Sequence, residues 1–179
     1  MGNCKRRARW LTLLPIIMAN PVSAAPGNTP NMSFHGALVA EPCTLRPGDE
    51  AIELQFGTVV DKYLYKNQRT LGKLIELHLQ ECDVSQDSTV KLLFSGPENP
   101  ELPGFLAVSG STRGFAIGLE RADGQPVLLN KQTKAWNLSK NETVISLKAF
   151  LQAEPDALDK QSITRGEFDA MMMFTLEYE

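Results

Sequence analysis

Apolar side chains occupy every second position near the end of the chain: Phe168, Ala170, Met172, Phe174, Leu176 and Tyr178. Successive residues of a strand point to opposite faces of a sheet, so this register predicts a β-strand with one buried face. Residues 144–151 repeat the pattern, with Ile145, Leu147, Ala149 and Leu151 toward a core and Val144, Ser146, Lys148 and Phe150 away from it. Ile75, Leu77 and Leu79 form a third such face leading into Cys82, which leaves His78 on the solvent side. Shorter runs at 32–39, 52–56, 90–94, 115–119 and 127–129 predict further strands, and 136–139 a brief one. Gly57, Ser95-Gly96-Pro97 and the turn Ala122-Asp123-Gly124-Gln125 punctuate them. Residues 154–160 read as a loop or a single helical turn. Short strands at this spacing, without a long helical period, predict an all-β fold: a β-sandwich of immunoglobulin-like architecture.

The first 24 residues have a different pattern. Lys5, Arg6, Arg7 and Arg9 precede an apolar run over 10–19, and Val22-Ser23-Ala24 ends it with small residues. That is the layout of a secretory signal peptide, predicted over 1–24 with cleavage after Ala24. The run is well short of the roughly 20 residues that cross a bilayer, and no later stretch is longer, so no transmembrane segment is expected. The following residues, 25–31, carry Pro26, Gly27 and Pro30 among polar neighbours and predict an extended arm.

Removing the signal sharpens the charge. Of 18 Lys and Arg, four lie in the signal, leaving 14 against 21 Asp and Glu in the 155 residues that follow. Phosphate recognition needs clustered Lys and Arg, so an acidic domain argues against nucleic acid as a partner. One domain with one core fits this length.

Cys4 belongs to the signal, so Cys43 and Cys82 are the cysteines left in the exported chain. An oxidising compartment favours a single disulfide between them, the alternative being two buried thiols. Chemistry beyond that is sparse. His35 and His78 stand in no metal-ligand spacing, and neither a nucleophile elbow, a zinc-protease helix nor a phosphate loop occurs. The expectation is a non-enzymatic protein with no catalytic residue, metal or cofactor. Asn31, Asn137 and Asn141 open Asn-x-Ser/Thr triplets, which read as chance.

The alternating segment at the C-terminus admits two readings, a core strand of a complete sandwich or an edge beside a missing strand. Its place at the chain end, together with an N-terminal arm, suits strand addition between molecules. At this point the residues resemble the pilins of the chaperone–usher pathway. The resemblance is carried by Phe34-His35-Gly36, by Pro42-Cys43-Thr44-Leu45, by Cys82 after an apolar strand, and by the ending from Gly166 to Tyr178. It covers the whole exported chain.

The resemblance implies an immunoglobulin-like β-sandwich lacking its final strand over 34–179, preceded by a donor-strand arm at 25–33. A periplasmic pilus chaperone is expected to fill the resulting groove first. At the outer-membrane usher, the arm of a neighbouring pilin subunit then replaces it, and the chain ends in a fimbrium at the bacterial cell surface. The resemblance places the disulfide on Cys43 and Cys82, the groove and chaperone-binding strand on Phe168, Ala170, Met172, Phe174, Leu176 and Tyr178, and the terminal carboxylate on Glu179. Met32 and Phe34 are the apolar donors of the arm, which Pro30 makes atypical of a major shaft subunit. The Phe-His-Gly element and the closing Tyr178-Glu179 look more like the minor subunit that terminates assembly and anchors P-type pili. An ordinary minor or adaptor pilin is the alternative, and a self-contained secreted carbohydrate-binding sandwich the alternative of another class.

Overall fold

In a computed structural model of the chain, residues 41–85 and 88–179 are described. The expected signal peptide, the arm with Met32 and Phe34, and the strand expected over 32–39 lie outside them.

The described chain begins at the disulfide. Cys43 and Cys82 are joined, both buried, and the expected pairing is present. Strand β1 (Thr44–Leu45) follows at once and pairs antiparallel with β2 (Lys73–Cys82), Leu45 opposite Leu79. β1 stops where Pro47, without an N–H, follows Arg46. The Arg46 N–H still reaches the His78 carbonyl at 2.9 Å, but the His78 N–H is taken by the Asp49 carboxylate at 2.7 Å. Asp49 thus substitutes for a strand partner while Gly48, at φ 99°, turns the chain off the sheet. His78 Nδ1 lies 2.9 Å from the same carboxylate oxygen, and the side chain is 16% exposed, so His78 is a half-buried partner of the buried Asp49 rather than a free surface residue.

Residues 52–60 form no strand, in contrast to the expectation for 52–56. The alternation is real, since Leu54 and Phe56 are half-buried against the core while Ile52 is exposed. No strand among the described residues lies beside this backbone to complete a ladder. Helix α1 (Asp61–Asn67) follows, which the pattern did not reveal because only Leu64 is buried. Asp61 stands in its first turn, and Gln68, left-handed at φ 65°, returns its N–H to the Leu64 carbonyl and ends it.

Next come β3 (Thr89–Ser95), β4 (Ser109–Gly110), β5 (Phe115–Arg121), β6 (Pro126–Val127), β7 (Trp136–Asn137) and β8 (Asn141–Ala153). Helix α2 (Pro155–Asp159) is the helical one of the two forms expected there, a loop or a single turn, and β9 (Phe168–Asp169) and β10 (Met173–Tyr178) follow. One sheet has the order β1-β2-β8-β5-β6, the second β10-β3-β7, and β4 pairs β9 in a small third. Their apolar faces make one core in which Leu79, Val90, Leu92 and Ile145 are fully buried. The expected all-β sandwich is the observed one.

Two side-chain expectations change. Phe150, placed on the solvent face of its strand, is buried there beneath Phe105, the rings meeting edge-on at 6.0 Å. Arg69 lies 3.5 Å above its centroid, and Gly118 leaves the space these rings fill. The terminal alternating segment is also not one strand. β9 pairs with β4, β10 pairs with β3, and the backbone changes partner across Ala170, Met171 and Met172. Ala170 is exposed in that gap and takes no part in the apolar face.

Candidate functional site: a half-open seam between the sheets

β8 and β10 carry the same period-two pattern and differ in burial. Ile145, Leu147, Ala149 and Leu151 of β8 are each 2% exposed or less. The inward residues of β10, Phe174, Leu176 and Tyr178, are only half-buried, as are Met172 and Phe168 before them. The cause is position. β8 lies between β2 and β5, whereas β10 is paired only with β3, from Met173 opposite Ser95 to Tyr178 opposite Val90. Among the described residues nothing pairs with its other edge.

A second half-buried row comes from the segment after the disulfide: Leu45, Leu54, Phe56 and Val59. One ring contact ties the two rows together. At one end Phe56 packs on Phe168 with ring centroids 6.0 Å apart, and Phe168 in turn meets the buried Phe115 edge-on at 5.1 Å. At the other end burial, and then the nearby negative charge of Glu41, hold the Tyr178 hydroxyl above its ordinary pKa. Leu45 lies in β1 of the first sheet, Leu54, Phe56 and Val59 in the strandless segment after it, and β10 in the second sheet, so the stretch between the two rows is a seam beside the core. Each wall has apolar side chains that stop short of full burial and a backbone edge without a ladder. Full burial of a Leu or Phe is worth about 1.5–3 kcal/mol, and part of that is unrealised here at several positions.

The chain end is fastened beside the seam. The terminal oxygen of Glu179 accepts from the Ser88 and Thr89 N–H groups at 3.0 and 2.9 Å and from the Thr89 hydroxyl at 3.1 Å, while the Glu179 N–H donates to the Thr89 carbonyl at 2.9 Å. Lys91 Nζ lies 2.6 Å from the Glu179 side-chain carboxylate. Behind the opposite wall, burial would raise the pKa of Asp49, but the His78 N–H, its imidazole and Arg46 outweigh it and hold the value down to about 2.

Of the residues expected at the groove, the structure brings Phe168, Met172, Phe174, Leu176, Tyr178 and Glu179 to this seam and leaves Ala170 outside it. Sequence reasoning missed the facing wall. Leu54 and Phe56 were visible as an alternating pair, but periodicity does not say that their strand partner is absent. Among the described residues no cluster of His, Cys, Asp or Glu could hold a metal ion, and no helix is long and apolar enough to cross a membrane. Trp136, an aromatic that a sugar-binding reading would use, has the Arg121 guanidinium 3.6 Å over its ring.

Known proteins match this architecture and this stretch of sequence. The family described as Fimbrial protein matches residues 32–179. An uncharacterized fimbrial-like protein of Escherichia coli K12, YfcP, is 32% identical over 152 residues, covering 83% of each chain. The putative minor fimbrial subunit PmfF of Proteus mirabilis is 28% identical over 152 residues, covering 83% of this chain and 84% of its own. A chain in a solved chaperone–usher pilus superimposes with a TM-score of 0.70 at 24% identity, over 87% of this chain and 99% of that one, a likeness of fold. The chain belongs to the fimbrial protein family and is a structural fimbrial subunit.

Proposed function

We propose that this chain is a minor subunit of a chaperone–usher fimbria that accepts a β-strand into the seam between its 41–59 segment and β10. A periplasmic chaperone supplies that strand first, with basic groups taking the carboxylate of Glu179. At the outer-membrane usher, the arm of a neighbouring subunit replaces it, and the subunit resides in a fimbrium at the cell surface. The observation that carries the reading is the contrast between fully buried Ile145, Leu147 and Leu151 and half-buried Phe174, Leu176 and Tyr178 on strands of identical pattern. An added strand would bury the second set and use the free edge of β10. Exchanging one strand for a better-fitting one needs no cofactor, because backbone pairing and apolar burial drive it.

Within that reading the subunit ends assembly and anchors the fimbria. The supporting observation is the Phe56–Phe168 contact, which joins the two walls and narrows one end of the seam where an incoming arm would start to displace the chaperone strand. An adaptor role is the alternative, and it predicts ready exchange. The chain would be expressed in periplasm with and without the chaperone. Recovery as a complex only is expected, and a stable monomer obtained alone would sink the strand-accepting reading. The complex would then be mixed with a peptide copying another subunit's arm; rapid exchange would rule out termination and leave the adaptor.

A further inference from the structure

Met171, Met172 and Met173 follow one another where the chain passes from β9 to β10. Alternation divides them. Met171 is 83% and Met173 71% exposed, while Met172 between them turns inward, half-buried against the core at the seam. Gly96 backs this stretch so closely that a Cβ there would stand 3.3 Å from the Met171 carbonyl and 3.4 Å from the Met172 Cβ.

We propose that Met171-Met172-Met173 is a methionine-oxidation site, in which the outer two thioethers react harmlessly with peroxide and the inner one controls whether the seam accepts a strand. The second half rests on the strand-accepting reading above. In the reaction a thioether sulfur gives a lone pair to one oxygen of hydrogen peroxide, the O–O bond breaks and water leaves. Sulfur is oxidised by two electrons to the sulfoxide and the peroxide is reduced. The product is a polar, chiral group in place of a flexible apolar one. At Met171 and Met173 it stands in water and costs no packing. At Met172 it faces the apolar seam, where an incoming strand would have to strip its water without offering a donor in return. The outer pair, reacting first, consumes oxidant beside the residue that matters.

The test is a hydrogen peroxide dose series on the full exported chain, with the seam filled by a donor peptide and with the chaperone bound. Fragment mass spectra would assign oxidation to each methionine. Met171 and Met173 are expected to oxidise several-fold faster than Met172 while chaperone or peptide fills the seam, and their sulfoxides to leave strand exchange and melting temperature unchanged. Material carrying the Met172 sulfoxide is expected to exchange more slowly and melt lower, and the Met172→Leu variant to keep both properties after the same treatment. Equal rates at all three positions would overturn the site. So would Met172 sulfoxide chains that match untreated ones in melting and exchange. Untreated complex that takes no peptide fits a terminating subunit, and the rates and melting temperatures of the chaperone complex then decide the site; a chain stable without the chaperone would remove the strand-accepting reading instead.

Discussion

Phe56 packs against Phe168 across the seam, although the first lies within the Cys43–Cys82 loop and the second begins β9 near the end of the sequence. This contact is where the two walls touch, so it sets how easily one end opens. Phe56→Ala removes an aromatic pair worth about 0.5–1.5 kcal/mol together with part of a ring's burial. The expected outcome is a melting temperature a few degrees lower and faster uptake of a donor peptide by the chaperone complex. Uptake at the parent rate would show that this end does not limit exchange.

Asp49 contributes to acid sensitivity. Its pKa falls from an ordinary 3.8 to about 2 in the folded chain, so it contributes stability that is fully present above about pH 4 and is lost as the pH drops through about 2. The shift corresponds to on the order of 2 kcal/mol at neutral pH. Asp49→Asn should be less stable than the parent at pH 7, and the difference should shrink between about pH 4 and 2. Urea unfolding at a series of pH values measures it; a constant difference would remove the Asp49 carboxylate from this role.

Gly118 tests the packing outside the main core. A Cβ at this position would stand 2.5 Å from the Phe150 Cζ and press on the Phe105 ring, both held by their neighbours. Gly118→Ala should therefore destabilise by about 1–3 kcal/mol, as overpacking does. Thermal unfolding of the complex reads this directly, and an unchanged midpoint would mean that the ring pair shifts freely.

The Cys43–Cys82 bridge ties positions separated by 39 residues. In the chain-entropy view, closing such a loop stabilises the fold by about 3–4 kcal/mol. Cys43→Ser should lower periplasmic yield sharply and leave the remaining protein sensitive to protease. Unchanged yield would assign the bridge no part in folding.

The C-terminus offers a separable effect. Lys91→Ala removes the ion pair to the Glu179 side chain and leaves the backbone bonds at Ser88 and Thr89. An exposed pair contributes about 0–1 kcal/mol, so stability should barely change. Chaperone affinity should change little too, if the terminal carboxylate rather than the side chain is what the chaperone reads. A large loss of affinity would point to the side chain instead.

Much of this protein was legible from local pattern. The strands around Ile75, Val90 and Ile145 appear where alternation placed them, because the alternating residues go into a common core and a one-residue slip would reverse them, while the short apolar run at Phe115 is a strand buried on both faces. The errors share one origin. His78 and Phe150 both lie on the outward side of their strands, and both are covered by distant segments, Asp49 from a turn and Phe105 from a loop. Ala170 keeps the apolar period of its neighbours yet falls where the backbone changes partner. Nothing in a two-residue period records which strand lies alongside.

By itself the sequence determined the sandwich class, the cysteine pair and the strand faces, since turn residues, cysteine number and side-chain alternation act over a few residues at a time. Only the tertiary structure decided that Phe174, Leu176 and Tyr178 stop at half burial, that Leu54 and Phe56 form no strand, and that Phe56 closes on Phe168. Those facts depend on which edges find a partner in space, and an unpaired edge has the same local sequence as a paired one.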